Sequence, residues 1–291
     1  MSATEHKHNG IHVFVFCCAD YKNIINDCVN SIDQFIIDPI ISRNIVSNTT
    51  INIDGYNLIQ DKDFWKLLDP EFKYRNLYNH NWIKQQIFKL NLDKIVSGNI
   101  LIIDAEVRFR KPLQWITDTK CTVFYTNKLN KHNGNEFVKQ ALDIDPILDK
   151  TFIVEATIFN TDILKEIQDR IVKLHSKSQL AAYQTIVFDD PTKIDPMPKL
   201  FFSEYELYAN YLLKFHSEKI DRLLRYQLKF FNSIECETTS NSTGNVTKWL
   251  TQYEQIRGTN WPDCESKEDF ANLPDDIKQE CIEKFGYNND Y

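Results

Sequence analysis

Apolar residues along the chain change repeatedly between the spacing of a buried strand and the spacing of a helix. Residues 11–18 are β-branched and aromatic and predict a buried strand, and the helix-like stretch 23–35 follows them. The later segments of strand character are 44–46, 99–103, 121–126 and 152–159. The later helical segments start at Asn81 or cover 136–142, 162–174 and Glu204–Phe215. This alternation predicts an α/β fold with helices on both faces of one sheet.

Two of the predicted helices carry capping signals at their starts. Ser203 precedes the helix Glu204–Phe215 and Glu206 follows three residues later, which predicts a capping box. Asn160 or Thr161 opens the helix predicted over 162–174.

Polar stretches divide the chain into three parts. Residues 1–10 form a polar tail, and residues 11–237 hold the alternating segments and are predicted to be one domain. The small and polar run 238–247 is the best linker. Residues 248–291 are predicted to be a C-terminal helical extension packed on the domain, with a final helix over 275–285.

Glycine is scarce in this sequence. Its seven glycines stand at positions 10, 55, 98, 134, 244, 258 and 286, and no two are closer than fourteen residues. The Rossmann dinucleotide fingerprint, the P-loop and the nucleophile elbow of α/β-hydrolases each need two glycines within a few residues. The sequence therefore argues against these three classes of protein.

The chain is acidic, with a net charge of −7, so it has no overall field that would attract nucleic acid or anionic lipid. Its longest apolar run, residues 11–19, is too short to span a membrane. Seven cysteines without a CxxC pair predict reduced thiols. We therefore expect a cytoplasmic protein, in a bacterium or in a host cell if its source is viral.

Acidic residues follow two of the predicted strands directly. Asp20 and Tyr21 come after the first strand, and Asp104-Ala105-Glu106 comes after the strand 99–103. Ligands of open α/β sheets bind beyond the carboxyl ends of the strands, so these are candidate site residues. Mg²⁺ or Mn²⁺ would relieve the repulsion between two carboxylates this close. A solvated acidic turn is the alternative that the spacing alone leaves open.

Three motifs give the chain a resemblance to glycosyltransferases of the A-type fold. It is most similar to a bacterial and viral family with a WxxQQxxKL helix, an IDAD strand end and an FSEYExYxNY helix. The matching segments here are Asn81–Leu90, residues 100–113 and residues 202–211. The resemblance implies one Rossmann-like domain with a mixed sheet flanked by helices. The second aspartate of the family's Asp-x-Asp is Glu106 in this chain.

Enzymes of this kind move a sugar from a nucleotide diphosphate donor to an acceptor hydroxyl. The resemblance therefore implies a hexosyl- or pentosyltransferase in which Mn²⁺ or Mg²⁺ stabilises the leaving diphosphate. Asp104 would hold the metal through water or the donor ribose, and Glu106 would bind it directly. His216, which lies late in the chain, would be a third metal ligand. The alternative is that its side chain interacts with the negative end of a helix dipole.

The resemblance also implies contacts with the donor. Asp20 and Tyr21 would touch the nucleobase and ribose, and their alternative roles are a helix cap and a core aromatic. Lys84, Gln85, Gln86 and Lys89 cover most of a helix turn, so only some of them can face one site. Lys84 and Gln86 are the predicted contacts to the diphosphate or sugar, with Gln86 the stronger candidate.

Glutamates supply the candidate base. Glu204 and Glu206 lie about 200° apart around a helix, so they cannot both face one site. Glu204, at the N-terminal position, is predicted to enter the active site as a general base if the enzyme inverts. Glu206 then has the structural, capping role. Glu155 lies in an apolar strand and either lines the cleft or marks a sheet edge.

The acceptor stays open between a glycan, a small molecule and modified DNA. A phage-type enzyme acting on hydroxymethylated bases would use the basic cluster Arg108, Arg110 and Lys111 for phosphate contacts. A non-catalytic carbohydrate-binding or virion-associated module is the alternative outside the enzymes. A nucleotidyltransferase is disfavoured, because it would normally have a glycine-rich loop near the N-terminus.

Overall fold

A computed structural model describes residues 10–18, 25–71, 73–105, 107–109, 112–127, 134–147, 150–154, 156–190, 198–225, 228–232 and 246–250. The strands in these residues are β1 Ile11–Cys17, β2 Ile40–Ser47, β3 Asn57–Gln60, β4 Asn99–Asp104, β5 Arg108–Phe109, β6 Ile116–Thr117, β7 Lys120–Asn127, β8 Lys150–Thr151, β9 Ala156–Asn160, β10 Ile220–Arg225, β11 Leu228–Asn232 and β12 Val246–Leu250. The α-helices are α1 Ile25–Phe35, α2 Asp61–Leu68, α3 Arg75–Asn79, α4 Asn81–Leu90, α5 Gly134–Leu142, α6 Thr161–His175, α7 Gln179–Val187 and α8 Glu204–Phe215.

The main sheet is mixed and has the strand order β3-β2-β1-β4-β9. β1 is parallel to both β2 and β4, β2 is parallel to β3, and β4 is antiparallel to β9. After β1 the chain moves outward to β2 and β3 and then returns to the other side of β1 as β4. The direction of winding therefore reverses between β1 and β4, whose carboxyl ends lie side by side.

Alternate side chains of β1 enter two cores, one on each face of the sheet. Phe14 and Phe16 pack with α4 and with helices α5 to α8, and Val13 and Val15 pack with α1. This arrangement confirms the predicted α/β class, with a mixed sheet between helices. No helix in the described residues is long and apolar enough to cross a bilayer.

Helix starts follow the capping signals closely. Asn160 accepts a hydrogen bond from the N–H of Asp162 at the start of α6, and Ser203 accepts one from the N–H of Glu206 at the start of α8. The Asn160 and Ser203 N-caps are therefore confirmed. The Glu206 half of the predicted capping box is not confirmed, because the bonds observed at its carboxylate come from Thr151, Phe152 and Asn210. Helices α2, α3 and α7 were not predicted; α7 lacks the amphipathic period, because its residues are apolar on nearly every side.

The prediction of one strand over 152–159 is wrong, because the strand β9 begins only at Ala156. The backbone N–H of Phe152 and the hydroxyl of Thr151 both donate to the Glu206 carboxylate. This part of the chain is therefore held by α8 instead of by the sheet. Glu155 lies outside the described residues.

Two small sheets lie beside the main one, with the orders β10-β7-β6 and β11-β12-β5, and β8 pairs with β7. β12 contains Val246 and Thr247, so the end of the predicted linker is a strand. The rest of the linker and residues 251–291, with the predicted final helix, lie outside the described residues.

A buried carboxylate fastens the segment after β5 to the connection between α1 and β2. Asp38 is 6% exposed, and it accepts hydrogen bonds from the N–H groups of Trp115 (2.7 Å) and Ile116 (2.9 Å). Burial raises the pKa of Asp38, and the two backbone donors partly offset that effect. The carboxylate thus adds a side-chain anchor beside the backbone bridge between Ile36 and Leu113.

Asp38→Asn should lower the free energy of unfolding by about 1–3 kcal/mol, because the amide offers one acceptor oxygen where two N–H groups need one each. Urea unfolding monitored by circular dichroism measures the loss. Asp33→Asn is the matched control on α1, since Asp33 is half-exposed and pairs only with Arg43 among the described residues. A loss of similar size in both variants would contradict the anchoring role of Asp38.

Candidate functional site

A cavity of about 540 Å³ opens at the carboxyl ends of β1, β2 and β4, where the winding of the sheet reverses. Its walls include Cys17 and Cys18 at the end of β1, Ser47 and Asn48 at the end of β2, and Asp104 at the end of β4. The volume lies within the usual range for small-molecule sites. Both its position and its size are those of a ligand site in an open α/β sheet.

One face of α4 forms a wall of this cavity. Trp82, Gln85, Gln86 and Lys89 have the spacing i, i+3, i+4 and i+7, so they lie in one stripe along the helix. The apolar stripe of α4 packs in the core instead, through Ile83, Ile87 and Leu90. The same helix thus joins the core with one face and the cavity with the other.

Lys89 is the centre of a buried polar cluster. Its ammonium is 3.1 Å from Asp104 Oδ1 and 3.0 Å from Glu204 Oε1, and it donates to the Tyr205 hydroxyl at 2.8 Å. Three partners match the three donors of an ammonium group. The Lys89 side chain is 1% exposed and Glu204 is fully buried, whereas Asp104 keeps a fifth of its side chain in contact with solvent.

Charge and burial act against each other in this cluster. Burial opposes the charge of Lys89, but Asp104, Glu204 and Tyr205 outweigh it, so the pKa of the ammonium lies well above its usual value. Burial raises the pKa of Glu204, and Lys89 offsets only part of that rise. Burial and then the Asp104 charge hold the pKa of Tyr205 well above its ordinary value, so the phenol is neutral.

Glu204, the predicted general base, does not reach the cavity. Its carboxylate lies behind Lys89, and the Gln86 amide donates to it when that amide is placed to satisfy both of its groups. In this orientation the Gln86 oxygen accepts from the Trp82 indole N–H at 3.1 Å. Glu204 therefore holds two cavity residues in place and does not itself line the cavity.

Glu206 points away from this cluster, as its spacing from Glu204 predicts. Its carboxylate accepts hydrogen bonds from Thr151, from the Phe152 N–H and from the Asn210 amide. It connects α8 with the segment before β9, which is a structural role.

Of the predicted metal ligands, the structure brings Asp104 to the cavity. Its Oδ1 faces Lys89 and lies 3.4 Å from the Gln85 amide nitrogen, which leaves Oδ2 without a partner among the described residues. Glu106 lies outside those residues. In the part of the chain that is described, no three His, Cys, Asp or Glu side chains form a group that could hold a metal ion.

The structure does not bring His216 to Asp104. His216 follows the last residue of α8, whose twelve residues span about 18 Å, while Glu204 is the first. The His216 Nε2 is 2.6 Å from Glu166 Oε2, which ties the end of α8 to α6. His216 therefore lies at the C-terminal end of α8, where its side chain contacts a carboxylate of α6.

Lys84 lines the cavity on the other side of α4 and pairs with Asp61 at 2.5 Å. Gln86 is 5% exposed and contacts the cavity from beneath Trp82. Asp20 and Tyr21 lie outside the described residues, as do Arg110, Lys111 and the side chain of Arg108.

Gln85 and Lys89 were among the four polar residues considered on this helix but were not selected, and Tyr205 was not identified as a site residue. The available signal was the helical period of the polar residues themselves, because Gln85 and Lys89 are four residues apart and must share a face. Helical spacing could not predict the partners of Lys89, because Tyr205 lies 116 residues further along the chain.

A family model described as a family of unknown function (DUF6492) matches residues 7–252. The chain belongs to this family. The match covers the main sheet, α4, Asp104 and α8, so the cavity is part of the family's own domain. No curated protein matches the sequence.

Lys89→Met keeps the length of the side chain but leaves two carboxylates without their cation. The free energy of unfolding should therefore fall by about 3–5 kcal/mol at neutral pH. Loss of Lys89 also raises the pKa of Glu204 further, so Glu204 is protonated in the folded state at a higher pH than in the unfolded chain. Its contribution to stability is lost as the pH rises through the folded pKa, so the penalty should be smaller in mildly acidic buffer than in mildly alkaline buffer.

Urea unfolding at the two pH values measures this penalty. Lys66→Met removes an exposed ion pair with Asp63 in α2 and should change stability little. Adding Glu204→Gln to Lys89→Met should restore part of the loss, because it removes one buried charge. Equal losses in the two lysine variants, or no restoration by Glu204→Gln, would contradict the central role of Lys89.

Proposed function

We propose that the chain is a glycosyltransferase that moves a hexosyl or pentosyl group from a nucleotide diphosphate donor to an acceptor hydroxyl. One observation carries the proposal: the three motifs of the resemblance meet at one ammonium group. Lys89 belongs to the first motif, Asp104 to the second and Glu204 to the third. A carboxylate oxygen of Asp104 and one of Glu204 each lie within 3.1 Å of the Lys89 ammonium. They meet beside a cavity in the position where such sheets bind ligands.

The charges of the cavity suit a diphosphate that is bound together with a cation. Lys84 and Lys89 lie on either side of α4, and each is paired with a carboxylate that offsets its charge. The Asp104–Lys89–Glu204 cluster has two carboxylates for one ammonium, which favours a further cation at Asp104.

Mn²⁺ or Mg²⁺, held by Asp104 and Glu106, would act there as a Lewis acid on the leaving diphosphate. Oxygen ligands suit both ions, and the Oδ2 of Asp104, which has no partner among the described residues, is consistent with such a contact. In this proposal Asp104 binds and orients the donor, and Gln85 and Lys89 fix the rotamer of Asp104.

Glu204 is a positioning residue in this proposal. It holds the Lys89 ammonium and the Gln86 amide from behind, out of reach of an acceptor hydroxyl. Its contribution to the reaction is the geometry of these two groups.

UDP, or another nucleoside diphosphate from a panel with GDP, ADP and CDP, should raise the melting temperature more with Mn²⁺ than with EDTA. Asp104 repels a diphosphate unless a cation lies between them, and Asp104→Asn should therefore reduce the difference. Thermal-shift measurements test this, with Asp145→Asn, at a 93% exposed side chain, as the control. An equal shift in EDTA would remove the metal from the proposal, and no shift with any nucleotide would remove the donor.

Glu204→Gln keeps the size of the side chain and an acceptor oxygen for Lys89, but it loses the second acceptor that the Gln86 amide uses. Loss of one such hydrogen bond should lower donor hydrolysis and transfer by about tenfold or less. A general base would lose about 10²–10⁴-fold with donor binding intact, which would contradict the positioning role. Glu206→Gln should lower stability while the folded enzyme keeps its turnover. Turnover with a nucleotide-sugar panel and donor affinity, measured on both variants, separate these outcomes. Binding without hydrolysis or transfer of any donor would favour the non-catalytic module.

A further inference from the structure

The cavity has two chemically different ends. Next to β2 and α2 its wall is polar, with Ser47, Asn48 and the Asp61–Lys84 pair. On the side of α8, where Ser203 and Tyr205 also line the cavity, four apolar side chains form a part that we call the aromatic wall: Trp82, Phe201, Ile153 and Val154. Asp104 and Gln85 also line the cavity.

Trp82 is an exposed aromatic side chain held in a fixed orientation. It is 38% exposed, although it lies in the wall of a cavity. Its ring centroid is 4.5 Å from that of Phe201, and its indole N–H donates to Gln86, which in turn donates to the buried Glu204. Packing on one side and a chain of hydrogen bonds at the edge prevent the ring from turning into the core.

An open indole face beside polar groups matches the surface of a pyranose ring. The carbon-bound hydrogens on one face of a pyranose pack against the negative face of an aromatic ring, while its hydroxyls project around the edge. In this cavity the Gln85 amide, one helical turn from Trp82, is placed to meet such a hydroxyl. Few precisely placed polar groups in an apolar wall are typical of specific small-molecule sites.

We propose that the aromatic wall binds a pyranose ring of the acceptor, so that the acceptor is a saccharide. The assignment rests on the proposed function in one respect: the polar end and Asp104 are taken by the donor, which leaves the aromatic wall to the acceptor. The acceptor hydroxyl then lies near the donor end, with its ring stacked on Trp82.

The charges of the cavity favour a saccharide over DNA. Each lysine that lines the described part of the cavity is paired with a carboxylate, Lys84 with Asp61 and Lys89 with Asp104. A DNA acceptor needs cations to neutralise its phosphates, whereas a neutral saccharide needs a stacking surface and hydrogen-bonding groups. The aromatic wall and its neighbours supply the second set.

Saturation-transfer NMR with methyl pyranosides of glucose, galactose, mannose and N-acetylglucosamine, and with their β-linked disaccharides, tests the proposal without any donor. At least one of these probes should bind the full-length protein. Trp82→Ala should weaken that binding about five- to tenfold, and Trp82→Phe, which keeps an aromatic face, should weaken it less. Phe201→Leu is a second variant that removes the support of the indole. Leu67→Ala, at a 60% exposed position in α2, should have no effect.

The effect of UDP with Mn²⁺ on the melting temperature of each variant separates this proposal from the function itself. Saccharide binding that is lost in Trp82→Ala supports the aromatic wall even if no nucleotide binds, in which case the glycosyltransferase proposal fails alone. If a nucleotide binds but none of the saccharide probes does, the aromatic wall is overturned and the donor proposal stands. Saccharide binding that is equal in wild type and Trp82→Ala overturns it as well. The proposal is also overturned if 5-hydroxymethyldeoxycytidine binds in a way that depends on Trp82 and none of the saccharides binds.

Discussion

The need to satisfy one buried ammonium group determines the arrangement of the site. Lys89 is almost without contact with water, and an ion in that position is stable only when opposite charges and hydrogen-bond acceptors surround it. Asp104 meets it from the end of β4, next to the central strand β1, and Glu204 and Tyr205 meet it from the first turn of α8. The end of β4, α4 and the start of α8 are thereby fixed relative to each other, and they form much of the cavity.

Short-range signals in the sequence were sufficient for the elements that carry this site. The apolar run before Asp104 predicted β4, the apolar period predicted α4, and Ser203 predicted the start of α8. The split of the segment 152–159 was not predictable, because it depends on Glu206, more than fifty residues further along the chain. The predicted roles of Glu204 and His216 differ from the observed ones for the same reason. Glu204 looked like a free base and His216 like a ligand, since neither Lys89 nor Glu166 could be recognised as a partner from spacing.

Helix α4 brings the features of the site together. One stripe of its residues packs in the core, a second stripe carries Gln85 and Lys89 to Asp104, and Trp82 continues that second stripe to the outer part of the cavity. Lys84 leaves the helix in the opposite direction and meets Asp61. A single helix of ten residues therefore supplies both the charged and the aromatic parts of the cavity wall, and a rotation of α4 would move all of them at once.

The mutual dependence of Lys89, Asp104 and Glu204 has a consequence for how the family can diverge. Changing one member alone leaves a buried charge without a partner and destabilises the fold. A series of single substitutions that replaces the whole cluster therefore passes through destabilised proteins. Exposed ion pairs such as Lys66–Asp63 carry no such constraint and are free to drift independently. Members of the family that lack the lysine should therefore also have lost or neutralised at least one of the two carboxylates, and the three positions should covary as a set.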